Sequence, residues 1–443
     1  MADLDLLADL IARARAAGAD AADAVLIGGA SLSVQRRLGQ TEHLERSESR
    51  DLGLRVFVGR RQAVVSSTAV DPAGFVQLAE RAVAMARVVP EDPFAGLAEL
   101  AAPPQDVVAL DLEDPAEPDA AALAGRAAAA EEAALAVPGV TNSEGAEAHY
   151  GRMVLMLASS AGFAGSFART AHTVSASVVA GSGTAMQRDY DVASSVHLAD
   201  LDDAARIGRS AGERAVARLN PTRPRTAKLP VVFDPRVARG LLGHFAAAIN
   251  GASIARGTSF LKDRMGQRVF APGIAIVDDP TRRRALRSRP FDGEGVPGRE
   301  LLLADDGVLG TWLLDSRSAR QLGLASTGHA SRSPGGPPSP APSNLYLRGG
   351  VASPAEMMAD IREGFYVTEL IGMGVNMVTG DYSRGAAGFM IRNGMRAEPA
   401  AEVTIAGTLA EMFAALVPAN DLEFRFGTDS PTVRIDNMTL AGA

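Results

Sequence analysis

Apolar residues recur with helical spacing at the start of the chain. Leu4, Leu7, Leu10, Ile11 and Ala14 share one face and Gly18 follows as a stop, which predicts a helix over about Ala2–Ala17. The pattern then shortens to strands. Ala24–Ile27 and Leu32–Arg37 are brief apolar-rich runs, and Leu52–Val58 with Gln62–Ser67 flank Gly59 and Arg60 as a hairpin. Asp71 and Pro72 supply the cap and first position of a second helix, with a predicted buried stripe of Phe75, Leu78, Ala79, Ala82, Val83 and Ala86. Val89 to Pro118 carries Pro90, Pro93, Pro103, Pro104, Pro115 and Pro118 among acids, the composition of a linker or extended wrap.

The order then repeats. A helix is predicted over Asp119–Val137, strands over Arg152–Ala158 and Phe163–Val179, and a helix over Asp202–Leu219 capped by Asp202. Ser166, Thr170, Ser175 and Ser177 alternate with apolar neighbours, as a half-exposed strand requires. Helix, strands, helix occurs twice, so the first half reads as a duplication, although without residue-level identity. Asn220–Pro230 reads as the boundary. Beyond it, Pro230–Phe233 is a predicted strand, and Asp234 with Pro235 opens a helix whose face is Val237, Leu241, Leu242, Phe245 and Ile249. The remainder is β-rich, and Ser331–Asn344 reads as a loop without regular structure that is exposed, mobile, or ordered only at an interface. The expectation is an α+β chain of two domains: a helix and antiparallel-sheet unit over 1–222 and a β-rich unit over 223–443.

Composition narrows the chemistry. The hydrophobic share of 47% supports a sizeable core, but aromatics are only 5%, so small side chains do much of the packing. A net charge of -8 argues against a general nucleic-acid binder. Cysteine is absent, which removes disulfides, thiol nucleophiles and thiolate zinc sites together. The acidic start MADLDLLADL lacks the basic segment of a signal peptide, and no apolar run is long enough to span a bilayer, so a cytoplasmic protein is expected. The six histidines are His43, His149, His172, His197, His244 and His329; the nearest two stand 172 − 149 = 23 residues apart, so no pair shares a helix face.

The helix after Phe233 continues LLGHFAAAINGASIARGTSFL, and here the chain resembles the TldD/PmbA family. Four further stretches carry the likeness in order: MQRDYD at Met186–Asp191, the run from Phe291 to Ala330, GMGVNMVTGDYSRGAAGFMIRNG from Gly372 to Gly394, and Glu402 to Phe424. In the TldD branch this helix bears His-Glu-x-x-x-His, two imidazoles one turn apart for zinc with Glu as base. Registered on Leu241 and Leu242, the first His falls at Gly243, the Glu at His244 and the second His at Ala247. The resemblance is therefore to the PmbA (TldE) branch. It implies a chain without its own zinc that joins a TldD-like zinc-bearing subunit as a heterodimer to degrade or trim unfolded or leader peptides. No nucleic-acid or membrane partner is implied, and a homodimer of the isolated chain stays open.

The residues themselves leave several readings open. His244 suits a helix-surface or interface histidine, or a ligand. Gly380-Asp381-Tyr382-Ser383-Arg384-Gly385 suits a tight turn with an Asp381–Arg384 contact, or a contact with peptide or partner. Ser383 lacks the glycine of a nucleophile elbow, because Asp381 takes that place. With Asn376, Thr379 and His329 these residues are the candidate peptide or partner contacts. His329 also suits a hydrogen-bonded turn. Asp292 and Glu294 suit a turn better than a cation site. The dense run Arg282–Arg289 suits a solvated loop or an acidic groove on a partner, and gives the family's older label, a modulator of DNA gyrase, no support. A stand-alone hydrolase with an unrecognised site, and a peptide-binding scaffold independent of any peptidase, are the alternative functions.

Overall fold

The computed structural model describes residues 2–99 and 106–443; Pro103 and Pro104 of the proline-rich spacer lie outside them. Helix α1 (Ala2–Ala16) buries Leu7, Leu10, Ile11 and Ala14, the face its spacing predicts. The two short strands expected next are one, β1 (Ala21–Arg37), running straight through Gly28 and Gly29. It pairs antiparallel with β2 (Gln40–Val58), whose hairpin with β3 (Arg61–Ser67) turns at Gly59 and Arg60 as expected. Residues 40–50 of β2 are exposed and, apart from Leu44, polar, so no alternation marks them; the backbone ladder to β1 makes them a strand. Asp71 caps a single 3-10 turn before α2 (Phe75–Val88), which buries all six residues of its predicted stripe.

After the short α3 (Val107–Leu110), the second half follows with α4 (Ala120–Leu135), β4 (Val140–Ser159), β5 (Ala164–Ala180), β6 (Gln187–Ser195) and α5 (Ala204–Ala217). Two expectations change. Strand β4 begins 12 residues before Arg152, and the cap of α5 is Asp203, which accepts from the Arg206 amide at 2.9 Å, rather than Asp202. The six strands form one antiparallel sheet in the order β3-β2-β1-β4-β5-β6. That order is symmetric about the β1–β4 pairing: α1 and α2 cover one half, α4 and α5 the other. Alanine and glycine allow the close packing. A Cβ on Gly208 of α5 would lie 1.9 Å from the Ala130 carbonyl oxygen of α4, so the two helix backbones touch there.

Strand β7 (Ala227–Phe233) starts inside the stretch expected to be linker. It pairs parallel with Glu363–Ile371 and antiparallel with Val433–Ala441. Asp381–Arg392 and Met395–Thr408 continue the sheet, and pairing of Met395–Thr408 with Val433–Ala441 closes these five strands into a ring. Helix α6 (Pro235–Ala248) docks on this ring with Leu241, Leu242 and Phe245 in the main core. There Phe270 stacks on Phe413 at 4.7 Å and meets Phe245 edge-on at 5.0 Å. Among the described residues no helix is long and apolar enough to cross a membrane.

The loop expected to lack regular structure, and to be exposed, mobile, or ordered only at an interface, holds a short hairpin and is partly buried. Ala330 and Ser331 pair with Ser339 and Pro340 as a small hairpin, and Arg332, Ser343 and Asn344 are buried. Asn344 donates to the Asp279 carbonyl at 2.7 Å and to the Ser288 hydroxyl at 2.8 Å. The hairpin presses on the N-terminal sheet: a Cβ on Gly53 of β2 would stand 2.3 Å from the Pro334 carbonyl oxygen. Proline removes donors, but it does not prevent order where side chains and neighbouring strands satisfy the rest.

Guanidinium groups tie the regions together. Arg55 and Arg332 both reach Asp23, at 2.5 and 2.7 Å, and Arg55 lies 3.4 Å from Glu294. Burial would raise the Asp23 carboxyl, but the Arg332 and Arg55 charges outweigh it and hold it below the ordinary carboxylate range. In the spacer, Asp92 pairs with Arg317 at 2.6 Å, and Arg320 donates to the carbonyls of Phe94, Gly96 and Leu97. The run Arg282–Arg289 is not a free basic patch. Arg283 and Arg284 both hold Asp111 at 2.6 Å, Arg284 also reaches Asp200 at 3.1 Å, and the Arg282 guanidinium lies 3.3 Å over the Phe424 ring.

Candidate functional site

Helix α6 supplies the floor of the site because only one of its faces is needed by the core. Asp234 accepts from the Arg236 amide at 3.1 Å and Pro235 fills the first turn, which sets the helix register. Leu241, Leu242 and Phe245 then point inward, and Arg236, Gly240, Gly243 and Ala247 recur every three or four residues on the outer face. Over that face opens a cleft of about 710 Å³. Its walls are Arg188, Asp189 and Tyr190 of β6, Thr368 to Leu370, Pro340 to Pro342, and Arg384.

Gly243 and Ala247, the positions the sequence reading assigned to the two zinc ligands, both line this cleft and are exposed; counted along His-Glu-x-x-x-His from Gly243, however, the second ligand position is Ala248, which is buried in the core, so only the first faces the cleft. His244 does not line it. Its ring meets the Tyr382 ring edge-on at 6.0 Å, and burial, with the Arg384 charge, pushes its pKa down. A hydrogen and a methyl offer no lone pairs, and among the described residues no group of three or more His, Asp and Glu could hold a metal ion. The residues on this face do not fit zinc.

The cleft is instead rich in guanidinium. Arg188, Arg218, Arg236, Arg239, Arg287 and Arg384 line it, against the two acids Asp189 and Glu369. Both acids are already engaged. Asp189 receives Arg236 at 2.5 and 3.0 Å and Arg218 at 3.4 Å, and Arg218 also pairs with Glu369. Burial works to raise the Asp189 carboxyl, but the hydrogen bond and charge of Arg236 prevail and hold it below its ordinary value.

The sequence candidates divide. Asp381 begins a strand rather than a tight turn, and residues three apart on a strand face opposite sides, so Asp381 and Arg384 do not pair. Asp381 accepts the Thr379 hydroxyl at 2.6 Å, while Arg384 Nε donates to the Ile371 carbonyl at 3.3 Å. Asn376, Thr379, Asp381 and Ser383 are exposed outside the cleft, and the Asn376 side chain accepts from the Val378 amide at 2.9 Å. Gly380 and Tyr382 are buried, so neither presents a free surface; burial also raises the Tyr382 phenol. His329 is buried as well, bonded through Nε2 to Asp278 at 3.0 Å and through Nδ1 to Thr327 at 2.9 Å, which removes it as a surface contact. Asp292 and Glu294 form no cation site. Asp292 accepts the amides of Glu294, Val296 and Ala330, and burial together with the Glu294 charge pushes it up to about 6.

Sequence reasoning therefore reached Arg384, Gly243 and Ala247 but missed Arg239, Arg287 and Arg218 as parts of one site. Two signals pointed there: Arg236 and Arg239 precede Gly243 at helical spacing, and MQRDYD carries Arg188 and Asp189.

Comparisons with known proteins bear on this arrangement. The PmbA/TldA metallopeptidase C-terminal domain matches residues 226–442, the central domain of the same family matches 113–219, and its domain 1 matches 22–86. The chain is similar to the metalloprotease PmbA of Escherichia coli O157:H7, at 37% identity over 96% of this chain and 92% of that relative. It is similar to the PmbA homolog of Haemophilus influenzae at 35% identity over 93% of this chain and 90% of that one. In fold it is similar to TldE from Thermococcus kodakarensis, with a TM-score of 0.87 at 19% identity over 99% of this chain and 100% of that chain.

Proposed function

We propose, from the premise that this chain belongs to the PmbA/TldA metallopeptidase family on its PmbA side, that it is the non-catalytic subunit of a two-chain peptidase. The observation that carries the reading is the outer face of α6. A cleft large enough for several peptide residues lies over Gly243, the first ligand position of the family's metal helix, and neither Gly243 nor the second position, Ala248, carries a ligand atom. The zinc is assigned to a TldD-like partner, and this chain supplies one wall of the chamber in which unfolded or leader peptides are degraded or trimmed. An extended peptide can be gripped there by its main chain without its sequence being read. Units over 1–222 and 223–443, a cytoplasmic setting and a homodimer in the partner's absence belong to the same proposal.

The test is co-expression with the zinc-bearing partner, followed by peptide hydrolysis by each chain alone and by both together. The purified chain alone should hold well under one zinc per molecule and cleave nothing. Cleavage should appear on adding the partner and vanish with a chelator. Stoichiometric zinc and chelator-sensitive cleavage in the isolated chain would overturn the assignment.

A further inference from the structure

We infer that the cleft over α6 is an anion site that takes the free C-terminal carboxylate of a peptide, held by Arg239, Arg287 and Arg384. The inference rests on the reading that this cleft faces peptide. Six guanidinium groups line it, and three are accounted for. Arg236 and Arg218 are tied to Asp189, and Arg188 reaches Glu144 at 3.3 Å. Among the described residues no carboxylate lies within ion-pair reach of Arg239, Arg287 or Arg384. Their contacts are to neutral groups: Arg239 to the Arg236 carbonyl at 3.2 Å and over the Phe426 ring, Arg287 to the Thr428 hydroxyl at 3.2 Å, and Arg384 to the Ile371 carbonyl at 3.3 Å. Each guanidinium carries five N–H donors, so most of the donors on these three remain free for an incoming oxyanion.

The shape and the wider charge select among anions. With a net charge of -8 the chain repels extended polyanions at long range, so a local cluster of three cations suits a single small anion. Gly240, Gly243 and Ala247 give the cleft a floor without protruding side chains, which lets a peptide backbone lie against the helix. A carboxylate at the end of such a backbone meets planar forks that match it in geometry. The consequence is polarity: this subunit would seat a peptide by its C-terminus and so set the direction in which the chain lies.

The experiment uses the full chain and two fluorescein-labelled hexaalanine peptides, one ending in a free carboxylate and one in a carboxamide. Anisotropy should show the free acid binding about tenfold more tightly, the ratio one charge-assisted contact supplies. Arg384→Gln combined with Arg239→Gln should erase the difference, and Arg287→Gln, at an exposed position, should reduce it if the double variant fails to fold. Inorganic phosphate should compete with the free acid; phosphate binding without any preference for the free-acid peptide would overturn the assignment to peptide. Equal binding of the two peptides, or binding of neither, would overturn it too. If neither binds while partner-dependent cleavage is intact, the carboxylate site fails and the subunit role stands. If the free acid binds selectively but the partner mixture cleaves nothing, the reverse holds.

Discussion

Arginine does two different things in this protein. Where the N-terminal sheet meets the C-terminal ring, Arg55 and Arg236 are nearly inaccessible and each grips an aspartate, Asp23 or Asp189. Around the cleft, Arg239, Arg287 and Arg384 stay in contact with solvent and grip no carboxylate. The difference follows from desolvation. A buried guanidinium must have its lost hydration replaced, by a carboxylate at Arg55 and Arg236 or by carbonyls at Arg169, which donates to Leu286 and Ser288. A solvated one keeps water as its partner until a ligand displaces it. One set holds the molecule together, and the other is available to bind.

The largest test of that contrast is Asp189→Ala. It leaves Arg236 and Arg218 facing each other without their shared carboxylate, and the loss of one partner of a buried pair costs about 3–5 kcal/mol. Chemical denaturation of wild type and variant measures it, and a loss below about 1 kcal/mol would mean the junction does not depend on the pair. Acid should act on the same contacts. Asp23 and Asp189 are held below their ordinary value of 3.8, so their contribution is complete above that value and is lost as pH falls through the lower folded values. Thermal melts between pH 5 and 2 should therefore fall steeply at the acid end, and less steeply in Asp189→Ala; parallel curves would break the assignment.

On the cleft side the signs reverse. Arg384→Gln should change stability by less than about 0.5 kcal/mol, as a solvated side chain without an ion pair does, yet lower peptidase activity of the proposed two-chain complex about tenfold. Normal cleavage by the variant complex, or a variant that unfolds, would place Arg384 with the structural set instead. The smallest effect belongs to Arg284→Ala. Its pairs with Asp111 and Asp200 are solvated and screened, so its denaturation midpoint should shift least of these variants, and a shift as large as that of Asp189→Ala would place the pair with the structural set. Because ion pairs occupy Arg283 and Arg284 of the basic run and the net charge is -8, duplex DNA should bind no tighter than micromolar at physiological salt, and nanomolar affinity in a filter-binding assay would contradict that.

Much of the local structure was legible. The stripe of α2, the Asp71 and Asp234 caps and the hairpin at Gly59 and Arg60 all follow from contacts between residues a few positions apart. The exposed stretch of β2 was not, because with both sides in water its side chains carry no alternation. The candidate site was legible only as its floor, through Gly243 and Ala247, and as one wall residue, Arg384. Tyr382 and His329 looked available because they sit among glycines and polar residues, yet both are packed inside, against His244 and Asp278.

What the sequence alone determined was most of the helices, the hairpin at Gly59 and Arg60 and the family likeness, since residue identity and short-range period settle them. What only the tertiary structure decided was the partnership of charges. Asp189 meets Arg236 across 47 residues and Arg55 meets Glu294 across 239, and no local rule couples positions so far apart. Which arginines are consumed in holding the fold and which remain free for a ligand depends on where packing brings the few carboxylates, and that is a property of the assembled chain.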